Sequence, residues 1–201
     1  MKLYFSPGSC SMAAHIALRA AGLPFETVRV DLRTGLCNGV PFKTLNPKGY
    51  VPAIELPNGQ WLSEGIALLS FIADSAKGAD LLPENGTWER YKALEWLTFV
   101  STELHKGFSP LWNPSTGISD KDVAWERLSQ RISLVDEQLK RSEYLLGPKF
   151  TVADAYLFTV LNWAGMLKRS LERWPAVSAY MSKVRQLPEV VAAMHAEGLK
   201  V

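Results

Sequence analysis

Every segment of this chain that reads as a β-strand lies in its first third, and everything beyond Asp80 reads as helix. That asymmetry restricts the fold more than any other feature, because a helix-only stretch cannot complete the sheet begun before it. The opening is strand, helix, strand. Lys2–Ser6 is short and aromatic-rich; Ser11–Ala21 is helical, ended by Gly22 with Pro24 just beyond; Phe25–Asp31 is rich in β-branched residues. Two strands joined through a helix at this length predict a parallel βαβ unit. Leu32–Val40, with Gly35 and Gly39, reads as a loop, and Pro41–Gly49 as a short helical turn closed by Pro47 and Gly49. Val51–Leu56 is a third strand. Pro57-Asn58-Gly59-Gln60 is a hairpin turn, Trp61-Leu62 starts a fourth strand, and Ser63 can cap a helix over Glu64–Ser75.

Ala76–Asp80 reads as a linker. Beyond it, Thr87–Lys106 and Lys121–Arg141 are long and amphipathic, Val152–Met166 is nearly all apolar, and Pro175–Gln186 and Glu189–Glu197 are shorter helices. The expected organisation is an α/β domain over 1–76 and an all-α domain over 84–201. With 47 % hydrophobic residues in 201, the chain can fill two such cores. Lys plus Arg is 22 and Asp plus Glu is 20, a net charge of +2, which points to neither nucleic acid nor a membrane surface as partner. No segment reads as a signal peptide or a membrane span. Cys10 and Cys37 are the only cysteines, too few for a disulfide scaffold, and the expected compartment is the reducing cytoplasm.

Cys10 lies in the turn Ser6-Pro7-Gly8-Ser9-Cys10-Ser11, between the first strand and the first helix. A helix start offers unpaired N–H groups and a partial positive charge, both favouring a thiolate. The competing reading is a small buried hydrophobe. Val51-Pro52 precedes a strand: a cis bond there would turn the Val51 N–H and C=O toward an extended, peptide-like ligand, whereas a trans bond makes it an ordinary strand start. At Ser63-Glu64-Gly65 the helix-start N–H groups suit a carboxylate and Glu64 an ammonium, or the three simply cap the helix. In Glu103-Leu104-His105-Lys106, Glu103 and Lys106 share a helix face at i,i+3. His105 can donate to or accept from a sulfur, or sit partly buried near a helix end. Thr151 with Asp154 reads as a structural capping box. Phe108, Pro110, Trp112, Trp163 and Met166 form either an apolar pocket wall or core packing.

Five segments taken together resemble the glutathione S-transferases of the bacterial beta class. They are Ser6–Ser11, Asn46-Pro47-Lys48-Gly49-Tyr50-Val51-Pro52, Leu62–Ala67, Glu103–Gly107 and Phe150–Tyr156. The resemblance implies a thioredoxin-like α/β domain followed by an all-helical domain, a homodimer, glutathione as co-substrate and no metal. It implies that Cys10 meets the glutathione sulfur and that Val51, before a cis Pro52, pairs with the cysteinyl backbone. Glu64 and Gly65 would hold the γ-glutamyl end, His105 and Lys106 would come from the helical domain, and Glu103 would reach the γ-glutamyl group in the partner subunit. Cys10 and His105 are thus the expected catalytic pair, with Phe108, Trp112 and Trp163 against a small hydrophobic electrophile between the domains.

Two positions depart from the class. Phe5 stands where its members carry tyrosine, so no phenol activates the thiol there. The 34–39 segment, Thr34-Gly35-Leu36-Cys37-Asn38-Gly39, is apolar where the class often places a lysine near the glycine carboxylate, and Cys37 on it reads as an incidental thiol on a flexible loop. Conjugation of the glutathione thiol is the expected reaction. The alternatives are thiol–disulfide exchange or reductive dehalogenation through Cys10, and a non-catalytic ligand carrier on the same fold.

Overall fold

β1 (Lys2–Phe5) pairs in parallel with β2 (Glu26–Asp31) through α1 (Ser11–Ala20), which is the expected βαβ unit. The structure is a computed structural model describing residues 1–76 and 78–200; Lys77 of the expected linker and Val201 at the chain end lie outside the described residues. On the other edge of β1, β5 (Ala53–Glu55) runs antiparallel, followed by β6 (Trp61–Ser63). The loop expected over 32–40 instead contains two short strands, β3 (Leu36–Cys37) and β4 (Val40–Pro41), so the sheet order is β4-β3-β2-β1-β5-β6. The cause is local. Asn38 and Gly39 both adopt positive φ, 48° and 80°, as a two-residue primed hairpin turn requires. At the other Asn-Gly only Gly59 has positive φ, and the loop there is longer, closed by the Leu56 N–H on the Gln60 carbonyl at 2.8 Å.

Cys37 is therefore not on a flexible loop. It pairs with Val30, is 2 % exposed, and packs in a cluster with Tyr4, Val30, Phe42, Val51 and Ala53. Burial pushes its thiol up, as expected of an inert core cysteine.

The chain divides into two compact units, Met1–Leu82 with Gln186–Val201, and Pro83–Arg185. In the first, α1 packs against α2 (Gly65–Ser75) and against the C-terminal helix α8 (Pro188–Ala196). Composition groups α8 with the helices before it; its contacts with α1 place it in the unit that holds the sheet. α1 is buried all round from Ser11 to Leu18, its small Ala13, Ala14 and Ala17 letting the neighbouring elements approach closely.

The second unit is all helical: α3 (Trp88–Phe99), α4 (Lys106–Trp112), α5 (Ile118–Leu139), α6 (Val152–Met166) and α7 (Pro175–Arg185). α6 has the bounds its apolar run predicts and is buried along most of its length. The continuous helix expected over Thr87–Lys106 is interrupted, because Val100–His105 widens into π turns between α3 and α4. There the Thr102 hydroxyl donates to the Thr98 carbonyl at 2.9 Å, a side-chain bond that competes with the helical ladder. Such a widening is common at functional sites, and it rotates every later side chain relative to a regular helix.

Candidate active site

In the sheet unit the turn carrying Cys10 is held by its own serines. The Ser9 N–H donates to the Ser6 carbonyl (3.1 Å), the Ser6 N–H to Ser11 Oγ (3.1 Å), and Ser9 Oγ lies 2.8 Å from Ser11 Oγ. Gly8, at φ 70°, turns its N–H onto Glu197 Oε2 at 2.8 Å. The other Glu197 oxygen pairs with His15 Nδ1 at 2.9 Å, both side chains being wholly buried. Because the Arg19 guanidinium donates to His15 Nε2 at 3.2 Å, that nitrogen is an acceptor, and Nδ1–H donates to Glu197. The end of the chain thus fixes the turn at its beginning. Phe5 is buried with its ring edge-on to His15, centroids 5.9 Å apart, so it is a core residue.

Cys10 is the residue before α1, half-buried, and makes no side-chain cap bond. Its Sγ donates instead to the Val51 carbonyl at 3.1 Å. The Val51–Pro52 bond is cis. β5 and β6 then pair Ala53 with Ser63, which brings Glu64 and Gly65 beside the Val51–Pro52 corner. Glu64, rather than Ser63, is the cap residue of α2. It stands at φ 73°, in the left-handed region, without a side-chain cap bond. A non-glycine residue held there costs on the order of 1–3 kcal/mol and is a common mark of a functional site. Its carboxylate reaches outward to Lys48 Nζ at 2.8 Å, an exposed pair. The sheet unit therefore gathers Cys10, Val51, Pro52, Glu64 and Gly65 along one chain of contacts.

In the helical unit the remaining candidates divide into two groups. His105 Nδ1 lies 2.7 Å from the Tyr156 hydroxyl, and its ring sits edge-on to Trp163 at 4.9 Å. Trp163 in turn meets Phe108 at 5.7 Å and Trp112 at 6.2 Å. Burial, with a smaller contribution from the Lys106 ammonium, pulls the His105 imidazole down to about 4. It is therefore neutral at physiological pH. Phe108 is 0 % exposed and backs this cluster from the core, whereas Trp112 and Met166 are 44 % and 50 % exposed. Glu103 and Lys106 belong to a different place. With Pro110, Arg127 and Arg131 they line a cavity of about 380 Å³, where Glu103 Oε2 accepts from Arg131 Nε at 2.7 Å. Pro110, grouped by sequence with the aromatic wall, faces this cavity.

Sequence reasoning assigned no role to Lys48, Arg131, Glu197 or Tyr156. Lys48 and Tyr156 lie inside the segments that carry the resemblance, so position was an available signal. Glu197 acts 182 residues from His15, and nothing local marks it.

At the start of α6, Asp154 is wholly buried and accepts from the Thr151 N–H (2.9 Å), the Thr151 hydroxyl (2.8 Å), the Leu145 N–H (2.9 Å) and the Tyr180 hydroxyl (3.3 Å). Burial pushes its carboxyl up to about 6 against these bonds. This is the structural capping box that the sequence predicts. Among the described residues no cluster of His, Cys, Asp and Glu is placed to hold a metal ion, and no helix is long and apolar enough to cross a membrane.

Comparison with known proteins matches the same two regions. The family model of the glutathione S-transferase N-terminal domain matches residues 7–75, and that of the C-terminal domain matches residues 99–188. Glutathione S-transferase GstA of Escherichia coli O157:H7 is 45 % identical over 201 residues, all of both chains. The structure of BphK, a bacterial glutathione S-transferase in a ternary complex, superposes with a TM-score of 0.96 at 45 % identity, covering 99 % of this chain and all of that one. A sphingomonad glutathione S-transferase complexed with glutathione superposes with a TM-score of 0.95 at 41 % identity over all of both chains.

Proposed function

The chain belongs to the glutathione S-transferase family and is a glutathione transferase; from that premise we propose how its residues divide the reaction, with a small hydrophobic electrophile as second substrate. Glutathione lies extended against the Val51–Pro52 corner, its cysteinyl backbone on Val51, its γ-glutamyl ammonium on Glu64 and its γ-glutamyl carboxylate at the start of α2 by Gly65. The observation that carries this reading is the 3.1 Å contact from Cys10 Sγ to the Val51 carbonyl. It sets a thiol beside the backbone group that an extended peptide would pair with, so the ligand's sulfur meets Cys10. The start of α1 favours negative charge on sulfur.

The glutathione thiol loses its proton to solvent, its thiolate forms a carbon–sulfur bond with the electrophile, and the leaving group departs with the bonding electrons. His105 acts at the sulfur end, and Lys106 contributes to substrate binding. Trp112 and Trp163, with Phe108 behind them, offer the apolar surface for the electrophile. Glu103 serves the γ-glutamyl group in the partner subunit of a homodimer. We place the protein in the cytoplasm, where glutathione, Cys10 and Cys37 stay reduced.

A second reading is favoured by the partial exposure of Cys10, which leaves its sulfur open to exchange. Here the Cys10 thiolate attacks glutathione disulfide, forming a Cys10–glutathione mixed disulfide and releasing one glutathione thiolate. Cys10→Ala separates the two reactions. Conjugation to an aryl halide is expected to persist at reduced rate while disulfide exchange disappears. Unchanged rates in both assays would remove Cys10 from the mechanism. Retention on immobilised glutathione without turnover of any electrophile would make the chain a carrier.

A further inference from the structure

His105 can serve a sulfur in two opposite ways. Its free ring nitrogen either accepts a proton or donates one, and the sequence leaves both open. The structure supplies a partner that chooses between them. The Tyr156 hydroxyl lies 2.7 Å from His105 Nδ1, on a side chain only 3 % exposed near the start of α6. The two rings are nearly perpendicular, at 87°, and Trp163 stands edge-on at 75° on the same imidazole. The ring is thereby held in plane as well as in position.

A neutral imidazole carries one proton on two nitrogens. A phenol, ionising near pH 10, is a far stronger acid than a neutral imidazole N–H, and an imidazole nitrogen is a far stronger base than a phenol oxygen. The stronger bond therefore runs from the Tyr156 O–H to Nδ1. The remaining proton must then sit on Nε2.

We propose that Tyr156 is a positioning residue: by donating its hydroxyl to Nδ1 it holds His105 in the Nε2–H form, so that His105 meets the glutathione sulfur as a hydrogen-bond donor rather than as a base. The second half rests on the reading of His105 given above. A donor of this kind stabilises the thiolate and leaves the proton to depart by another route. Its contribution falls on turnover more than on glutathione binding, because the charge it faces is that of the reactive sulfur.

The test reads the tautomer directly. Long-range ¹H–¹⁵N correlation spectra of the imidazole distinguish a protonated nitrogen from an unprotonated one. In the wild-type protein at pH 7.5, His105 is expected to be protonated at Nε2. In Tyr156→Phe the expectation is a mixture of tautomers or the Nδ1–H form, with kcat for aryl-halide conjugation down about tenfold and the glutathione KM unchanged. His105→Gln keeps an N–H donor with no tautomer to choose, so adding Tyr156→Phe to it is expected to cost no further activity. A wild-type spectrum with the proton on Nδ1 overturns the proposal, and that measurement needs no variant to fold. An unchanged tautomer in folded Tyr156→Phe also overturns it. Full wild-type kcat in His105→Ala overturns instead the placing of His105 at the sulfur, whatever the spectra show.

Discussion

The starts of α6 and α2 are both helix N-termini with an acidic residue beside them, yet they use those residues in opposite ways. At α6 the Asp154 side chain turns inward and is saturated by four donors from Thr151, Leu145 and Tyr180. At α2 the Glu64 side chain turns outward, makes no cap bond, and sits on a strained backbone. Cys10, before α1, likewise makes no cap bond with its own side chain, and the first N–H of that helix, of Ser11, goes to Ser9 Oγ at 3.3 Å instead. A cap that satisfies its own helix has little left for a ligand, and a polar residue that declines to cap is available for one. By this measure Asp154 is structure, while Cys10 and Glu64 are site.

The largest effect expected from this contrast is on stability. Asp154→Ala leaves the Leu145 and Thr151 N–H groups and the Thr151 hydroxyl without their acceptor, and is expected to cost about 3–5 kcal/mol in urea denaturation. Cys10→Ala should cost below about 1 kcal/mol, because no cap bond is lost. A small loss in the first, or a loss of several kcal/mol in the second, would break the distinction.

Acid sharpens the same contrast. Burial raises the Asp154 carboxyl to about 6, from an ordinary 3.8. Between those values the folded chain keeps a proton that the unfolded chain has released, so this group stabilises the fold as pH falls. Burial lowers His105 from 6.5 to about 4. There the unfolded chain holds the extra proton, and stability is lost as pH falls through the same window. Each contribution is on the order of 3 kcal/mol at most, and smaller for the partly exposed His105. In the wild type the two oppose one another. His105→Gln is expected to gain stability relative to wild type between pH 6.5 and 4, and Asp154→Asn to lose it. Denaturation midpoints across that range decide the signs.

How much of this was legible depended on whether the cause was local. The Thr151–Asp154 box, the bounds of α6 and the βαβ opening are written in adjacent residues, and they came out as read. The proline at Pro52 and the thiol at Cys10 were visible as residue types, and their 3.1 Å meeting through Val51 needed the fold. The β3–β4 hairpin was missed because two-residue strands show no alternation, although Asn38-Gly39 is itself a strong turn signal. The widened turn at Val100–His105 was missed because helical periodicity assumes a constant pitch, and there the pitch changes. The Glu197 contacts to Gly8 and His15 join opposite ends of the chain, beyond the reach of any window.

The smallest stability effect carries the opposite sign and is the sharpest probe of the α2 start. Glu64 holds φ at 73°, where glycine sits without penalty. Its bond to Lys48 is solvent-exposed and worth ~0–1 kcal/mol. Glu64→Gly is therefore expected to leave stability unchanged or raise it by up to about 1 kcal/mol. The same change removes the carboxylate proposed for the γ-glutamyl ammonium, so the glutathione KM should rise about tenfold or more, as for a lost charge-assisted bond. Stability rising while binding falls is the signature of strain kept for a ligand. Stability falling with the KM unchanged would make Glu64 a structural cap like Asp154, and would erase the difference between the two helix starts.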